Sequence, residues 1–253
     1  MRRVDEVEPL DFLKSIRDKF PQFNNEEQHD AHEFLMALMN ALQQENIDDS
    51  PIKEKIYIEN EQAQSFLIAN LLVNNTKWYK DFLVLEQHSV SCSHCGLSST
   101  WFQTSCCISI KVPNKGRFLE EIFSQITEDS IVSSCQSCMS PQQKKLRCEI
   151  VLVSKYIIIH LDRFIISNGI PVKNEAPVYP TPLKININNK MLQYRIKGVI
   201  SHYGTLSGGH YTYYQNKETV EMHWTEISDT KISKKSQPNN GYIVLLEQES
   251  DLG

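Results

Sequence analysis

Two short cysteine pairs constrain this chain more than any other feature. Cys92-Ser-His-Cys95 and Cys135-Gln-Ser-Cys138 are C-x-x-C knuckles with 39 residues between the inner cysteines. Each knuckle offers two thiolates from a tight turn, and four thiolates complete the tetrahedral shell that Zn²⁺ prefers. A closed shell leaves no position for water, so the expected ion is a single structural Zn²⁺ that ties together two hairpins distant in sequence. His94 lies inside the first knuckle, but four sulfurs already satisfy the ion, and this histidine is expected to be exposed. Neither pair has the βαβ context of a redox C-x-x-C. A chain of 253 residues buries roughly three quarters of its unfolded surface and needs no metal merely to fold, so the ion has a local purpose.

The remaining cysteines, Cys106, Cys107 and Cys148, read as small buried apolar residues rather than nucleophiles. The total of seven is odd, and Met1-Arg2-Arg3 runs at once into Asp5, Glu6 and Glu8 instead of the apolar stretch of a signal peptide. A reducing, intracellular setting, cytoplasmic or nuclear, is therefore expected. The formal charge of -5 argues against a nucleic-acid partner, since the only tight basic group is Lys144-Lys145-Arg147. A nucleic-acid-binding zinc ribbon would share the four ligands, and the acidic balance is what weighs against it. The most apolar run, Ile150 to Leu161, is broken by Ser154, Lys155 and His160 and falls short of the ~20 residues of a membrane span. It reads as buried strands.

Residues 9 to 45 read as helical. Asn24 followed by Glu27 resembles a capping pair, and Phe34, Leu35, Leu38, Met39 and Leu42 share one helical face. From Asp48 to about Gln64 the chain is polar and reads as a surface excursion. From Val84 onward the texture changes to short β-type runs, separated by Pro113-Asn114, Asn168-Gly169, Gly208-Gly209 and Asn239-Asn240-Gly241. Helices first and then a largely antiparallel β region define an α+β class.

Gly198 to Gly204 and His210 to Tyr214 read as two strands joined by a glycine-bearing loop. His210 is thereby displayed at a strand start beside a pliable loop, which suits a general base meeting an entering substrate. Such a base needs a partner for its second ring nitrogen. Ser228 and Asp229 come eighteen and nineteen residues later. Strand alternation allows only one of them to face the imidazole, and the residues alone do not choose.

Together these segments resemble the ubiquitin-specific protease catalytic domain, the papain-like cysteine peptidases that remove ubiquitin from proteins. Gln28-His-Asp-Ala-His-Glu-Phe-Leu35 is similar to the family's Q-Q-D-A-H-E-F-L helix start, with one substitution at His29. The knuckles occupy its zinc-finger positions, and His160-Leu-Asp-Arg-Phe164 resembles its H-L-x-R-F strand. Val178-Tyr-Pro180 with Leu183, then Tyr194 to Tyr214, resembles the histidine box and its approach, and Trp224 to Ile232 and Gly241 to Leu246 resemble the closing strands. The resemblance implies a hand-like fold: a partial helical thumb (1–47), an insertion or linker (48–80), fingers and palm with the zinc site (81–165), and a palm with the histidine box (166–253). It implies deubiquitinase activity on ubiquitin and ubiquitinated proteins, with His210 as general base. Gln28, Asp30, Glu33, Gly208, Gly209 and Tyr211 then lie where the narrow Gly-Gly tail of ubiquitin enters.

Two departures stand out. Ser228 occupies the position of the family's usual Asn or Asp. A hydroxyl can accept the Nδ1–H bond but brings no charge, so Asp229, the next acid, is the reserve. The family's G-N-T-C-Y cysteine box should lie upstream of Gln28, yet Met1 to Asn25 contains no cysteine. The nucleophile is therefore expected upstream of this chain, with a catalytically inactive ubiquitin-binding scaffold as the alternative. The 253 residues alone should not hydrolyse an isopeptide bond, and the incomplete thumb should leave an apolar patch exposed.

Overall fold

The computed structural model describes residues 9–25, 27–45, 57–123, 128–167, 169–187, 189–206, 208–216 and 224–249. Helix α1 (Pro9–Lys19) leads through a short 3₁₀ turn, Pro21–Phe23, to α2 (Ala31–Glu45). The expected capping pair does not cap. Asn24 instead donates its N–H to Pro21, and Asn25 accepts from the Glu27 N–H, so the chain is still turning there. Asp30 begins α2, its Oδ1 accepting the N–H groups of His32 at 2.8 Å and Glu33 at 3.0 Å. Met39 and Ala41 are the buried members of α2, and Phe34 packs edge-on against Phe23.

The first part of the expected polar excursion, residues 48–56, lies outside the described residues. The stretch from residue 61 to residue 80, expected as insertion or linker, is largely helical. Helices α3 (Glu61–Val73) and α4 (Lys77–Phe82) occupy it, with Ala63, Leu67, Leu71 and Tyr79 buried against Leu83 and Leu85. Apolar residues run all round α3, so it lacks the one-sided stripe that reveals a helix in a sequence. Its starting signal is Asn60, whose side chain accepts from Gln62 and Ala63. Thr76 does the same for α4 through Tyr79.

Two large sheets and two small ones, the parallel pair of Arg117–Phe118 with Val178–Tyr179 and the hairpin of Phe164–Ser167 with Ile170–Lys173, hold the strands of the described residues. The fingers consist of β1 (Val84–Cys92), β2 (Ser98–Ser105), β5 (Glu128–Cys135) and β6 (Ser140–Val153), in the order β2-β1-β6-β5 and antiparallel throughout. Between them in sequence lie β3 (Ile108–Lys111), β4 (Arg117–Phe118) and α5 (Leu119–Phe123). The palm adds β7 (Tyr156–Asp162), the hairpin β8 (Phe164–Ser167) and β9 (Ile170–Lys173), β10 (Val178–Tyr179) and β11 (Leu183–Ile187). It is completed by β12 (Lys190–Thr205), β13 (Gly208–Asn216), β14 (Trp224–Ser228), β15 (Lys231–Lys235) and β16 (Gly241–Gln248). Its order is β15-β14-β13-β12-β16-β7-β3, with β11 also paired to β12 and β3 parallel to β7.

The run from Ile150 to Leu161, read as buried strands, forms the end of β6 and most of β7, with Ser154 and Lys155 between them. The main core lies in the palm, where Ile157, Ile159, Leu161, Tyr194, Ile196, Val244 and Leu246 interlock. A second cluster of Met39, Ile158, Tyr242 and Ile243 joins α2 to the palm. That junction sets the position of the α2 start relative to the histidine strand. Among the described residues, no helix is long and apolar enough to cross a membrane.

Candidate functional site: a histidine cleft and a four-thiol fingertip

Four cysteine thiols converge at the far end of the fingers. Sγ of Cys92 lies 3.9 Å from that of Cys138, and Sγ of Cys95 lies 3.6 Å from that of Cys135. A Zn–S bond of about 2.3 Å requires tetrahedral S–S edges of about 3.8 Å, so these spacings fit such an ion. Both knuckles are the same turn. The N–H of Gly96 closes on the carbonyl of Cys92, and the N–H of Met139 on that of Cys135. Gly96 and Met139 each take a left-handed backbone, with φ of 72° and 54°, which costs Met139 about 1 kcal/mol that glycine avoids. The backbone N–H of Leu97 pulls the Cys95 thiol down to about 6, whereas burial and the neighbouring thiols push Cys138 up to about 12, a mutual repulsion that a bound cation would relieve. His94 is exposed.

The second centre is a cleft between the α2 start and the β12–β13 hairpin. It is lined by Gln28, Asp30, Phe164, His202, Gly209, His210 and Asp229, among others, and no cysteine is among its lining residues. His210 is half exposed at the second residue past Gly208. The pairing of Tyr213 with Ile227 carries Ser228 toward it, and the His210 Nε2 to Ser228 Oγ distance is 2.8 Å. The contact uses Nε2 rather than the expected Nδ1, leaving Nδ1 on the opposite side of the ring. Asp229 also reaches the imidazole, with Oδ2 3.8 Å from Nε2. Strand alternation does not separate the two residues, because β14 ends at Ser228. Asp229 then turns with φ of 50°, a left-handed conformation that aspartate tolerates, and that turn swings its carboxylate back toward the histidine.

Gln28 faces His210 across the hairpin turn. Its Oε1 accepts the N–H of Gly209 at 2.6 Å, which fixes the amide and leaves Nε2 with two donor hydrogens. Gly209 has no room for a side chain: a Cβ would run into His202 Nε2 and the Tyr203 carbonyl oxygen. Gly208 is similarly confined, since its Cβ would sit 2.8 Å from Gln28 Oε1. Asp30, expected to meet the tail, lines the cleft and is also tied into the fold. Its Oδ1 caps α2 and its Oδ2 accepts from the Tyr242 hydroxyl, so both oxygens are engaged within the protein. Glu33 is exposed in the first turn of α2. The Tyr211 hydroxyl accepts the Ala31 N–H at 3.3 Å, tying β13 to the same helix start. His29, the departure from the family pattern, bonds Asn25 Oδ1 through Nε2 at 2.6 Å.

Sequence reasoning missed two residues here. His202 is buried and tilted against Tyr211 at 4.7 Å, forming the floor beneath Gly209. Lys173 donates to the carbonyls of His202 (2.8 Å) and Gly204 (3.1 Å) and pairs with Glu175 at 3.0 Å, latching the end of β12. The register His202–Tyr211 and Tyr203–His210 comes from centring the hairpin on Thr205–Gly208, a signal available from the glycine spacing. Lys173 lies on a separate hairpin and left no such trace.

Cys106 and Cys107 connect β2 to β3 and pack under α2, and burial pushes the Cys107 thiol up to about 12. Burial, with Glu86 and Glu149 nearby, raises Cys148 to about 11. Burial thus disfavours the free thiolate at all three positions, and a bound cation would be needed to offset it. An apolar groove borders the cleft, lined by Phe12, Ile16, Phe23, Phe34, Ile200 and Ile227. Beside it, Leu10 and Phe12 of α1 are exposed.

The thumb is joined to the palm by an imidazole pair. His32 of α2 stacks on His160 of β7 with centroids 3.9 Å apart, and His160 Nδ1 contacts Ser109 Oγ at 3.0 Å. Burial, and then the neighbouring His32, lowers His160 to about 4, against the pull of Asp162 and Asp30. A depressed histidine contributes stability that is fully present above the unfolded value near 6.5 and is lost as pH falls toward 4. The domain should therefore lose about 3 kcal/mol between these limits through His160 alone. Denaturant unfolding at pH 7, 5.5 and 4.5 checks this. His160→Gln, which keeps the Ser109 contact but does not titrate, should flatten the profile, and an unchanged slope would rule the mechanism out.

A fold of helical thumb, antiparallel palm and cysteine-tipped fingers, with an imidazole paired at the thumb–palm cleft, defines the architecture of a papain-like ubiquitin peptidase. Structural comparison agrees: a chain of the SAGA DUB module Ubp8/Sgf11/Sus1/Sgf73 bound to monoubiquitin superposes with a TM-score of 0.71. At 19% identity, the match covers 94% of this chain and 53% of that one. The same module bound to ubiquitin aldehyde gives a TM-score of 0.67 at 19% identity, covering 94% of this chain and 54% of the other. The profile of the family described as ubiquitin carboxyl-terminal hydrolase matches residues 1–246, and the chain belongs to that family. Ubiquitin carboxyl-terminal hydrolase 2 of Gallus gallus is 24% identical over 289 residues, spanning 97% of this chain and 75% of the relative. Ubiquitin carboxyl-terminal hydrolase 4 of Saccharomyces cerevisiae is 25% identical over 271 residues, spanning 89% of this chain but 29% of the relative. The chain thus corresponds to less than a third of the yeast relative and to about half of the solved chains.

Proposed function

We propose that this chain is the fingers, palm and partial thumb of a deubiquitinase, which hydrolyses the isopeptide or peptide bond at the C-terminal glycine of ubiquitin. The reaction depends on a thiol supplied by a cysteine upstream of these residues. The observation that carries the reading is the His210–Ser228 contact, set beside a glycine turn whose N–H fixes Gln28. In this mechanism, Nδ1 of His210 takes the proton of the incoming thiol, and the thiolate attacks the glycine carbonyl carbon. The developing oxyanion meets the Nε2 donors of Gln28, whose direction Gly209 has already set, so no reorganisation is needed. The imidazolium then protonates the departing amine, and water cleaves the thioester with His210 as base. Ser228 orients the ring without charge, while the carboxylate of Asp229, largely in solvent, adds a screened stabilisation of the imidazolium. Confinement at Gly208 and Gly209 supports a substrate tail without side chains at its end.

The four fingertip thiols would hold one Zn²⁺ that fixes the ubiquitin-facing fingers and takes no part in the chemistry. The groove bounded by Phe12, Phe34 and Ile227 would seat the cysteine-bearing segment against the thumb. The complexes of the structural relatives with monoubiquitin and ubiquitin aldehyde support ubiquitin as the partner.

A cleft without a thiol also suits a ubiquitin-binding scaffold, and a labelling experiment separates the two. The 253-residue chain should bind ubiquitin but form no adduct with ubiquitin bearing a C-terminal electrophile. A longer protein carrying the upstream cysteine should form the adduct, and His210→Ala should slow it by about 100-fold or more. Binding without labelling by the longer protein would favour the scaffold. An adduct on any of the seven cysteines of this chain would overturn the proposed location of the nucleophile.

A further inference from the structure

The fingers carry a second set of converging donors, unrelated to the fingertip. Glu86, His88 and Cys148 present a carboxylate oxygen, a ring nitrogen and a thiol within 4.8 Å of one another. The sheet brings them together. Glu86 and His88 are two apart on β1 and so share a face, and Cys148 of β6 is the cross-strand partner of His88. Gln87 points the other way and accepts from Asn60. His88 Nε2 and Glu86 Oε2 are 3.3 Å apart, which is the edge of a tetrahedron whose ligands stand about 2.0 Å from a metal. On its other side, His88 pairs with Trp101 of β2, and the two rings stack at 5.4 Å with 11° between planes. The indole therefore restrains the imidazole plane. All three donors are partly buried.

We propose that Glu86, His88 and Cys148 form a second metal site, which takes one divalent ion of borderline softness such as Zn²⁺. One thiolate and one imidazole select against Mg²⁺ and Ca²⁺, which favour oxygen ligands only. Three protein ligands leave a fourth position open to water, unlike the closed four-sulfur shell. The site lies four residues along β1 from Cys92, about 13 Å at strand spacing, so the two ions cannot share a ligand. Its structural effect is a second staple between β1 and β6 at the middle of their pairing.

The test is a Co²⁺ titration of metal-free protein in its full 253-residue form, followed by thiolate-to-cobalt absorption and by tryptophan fluorescence. Two equivalents should bind: one with the strong absorption of four thiolates, the other with about a quarter of it. Only the weakly absorbing equivalent should quench Trp101, and Trp101→Phe should abolish that quench. His88→Gln and Cys148→Ser should each weaken the second equivalent at least tenfold while leaving the four-thiolate band intact, which also reports that the fingers have folded. A single equivalent in the wild-type protein would overturn the proposal. So would a second equivalent unaffected by both substitutions.

Discussion

Arg163→Met should destabilise the domain by about 3–5 kcal/mol and lower its melting temperature by roughly 10 °C. Arg163 has no exposed surface, and among the described residues no carboxylate pairs with it at hydrogen-bonding range. Its guanidinium works as a hub for main-chain carbonyls. Nε donates to Gly241 at 2.7 Å, and Nη1 donates to Asn174 at 3.0 Å and Ala176 at 2.8 Å. Burial lowers the guanidinium to about 10, still far above neutrality, so the donor set stays complete. Methionine fills the stem but removes the donor from two buried carbonyls and one part-buried carbonyl, at a cost of about 1–3 kcal/mol for each buried one. Those carbonyls join the start of β16 to the loop after β9, and β9 carries the Lys173 latch. The loss should therefore reach the histidine hairpin. Arg163→Lys should rescue little, since a point charge cannot serve carbonyls in three directions. Equilibrium denaturation checks this, and a loss below about 1 kcal/mol would contradict the hub role.

Cys135→Ser should loosen the outer fingers while the palm remains folded. A structural zinc ion in small domains contributes about 10 kcal/mol or more, so losing one of four ligands removes the main restraint on the β1 end and the β5–β6 hairpin. The apolar support there is thin: Ile131, Val132 and Met139 are exposed, and Cys92 and Cys135 are the buried side chains. Amide exchange from Val90 to Ser99 and from Val132 to Gln142 should accelerate about a thousandfold, with β12 and β16 unchanged. Chelation of the wild-type protein should reproduce the pattern. Unaltered exchange at the knuckles would show that hydrogen bonding alone holds the tip.

The α+β class was legible because the β runs are bounded by strong turn formers and the apolar stripe of α2 is one-sided. The four thiols were legible because C-x-x-C spacing itself forces a bidentate turn. Helix α3 was not, since burial on one side and exposed Ile68, Leu72 and Val73 on the other erase its periodicity. In the cleft, His210 and its two candidate partners could be found from spacing, but that both approach the imidazole depends on a left-handed φ at Asp229 that no local pattern announces. The structural bonds of Asp30 were hidden for a related reason. Its second oxygen is claimed by Tyr242, more than two hundred residues away, and only the tertiary fold reveals that bond. His202 and Lys173 act through the backbone they support, which leaves no chemical signature in the order of residues.

The twin turns of the fingertip also bear on how the chain folds. Each is closed by its own backbone bond within five residues and can form before the other. Joining them means closing a loop of about 40 residues, at an entropic cost of about 3 kcal/mol. An ion captured early by one knuckle would carry two vacant coordination positions until β1 finds β6. The free metal concentration during synthesis should then help set the rate at which the fingers assemble, as well as their final stability.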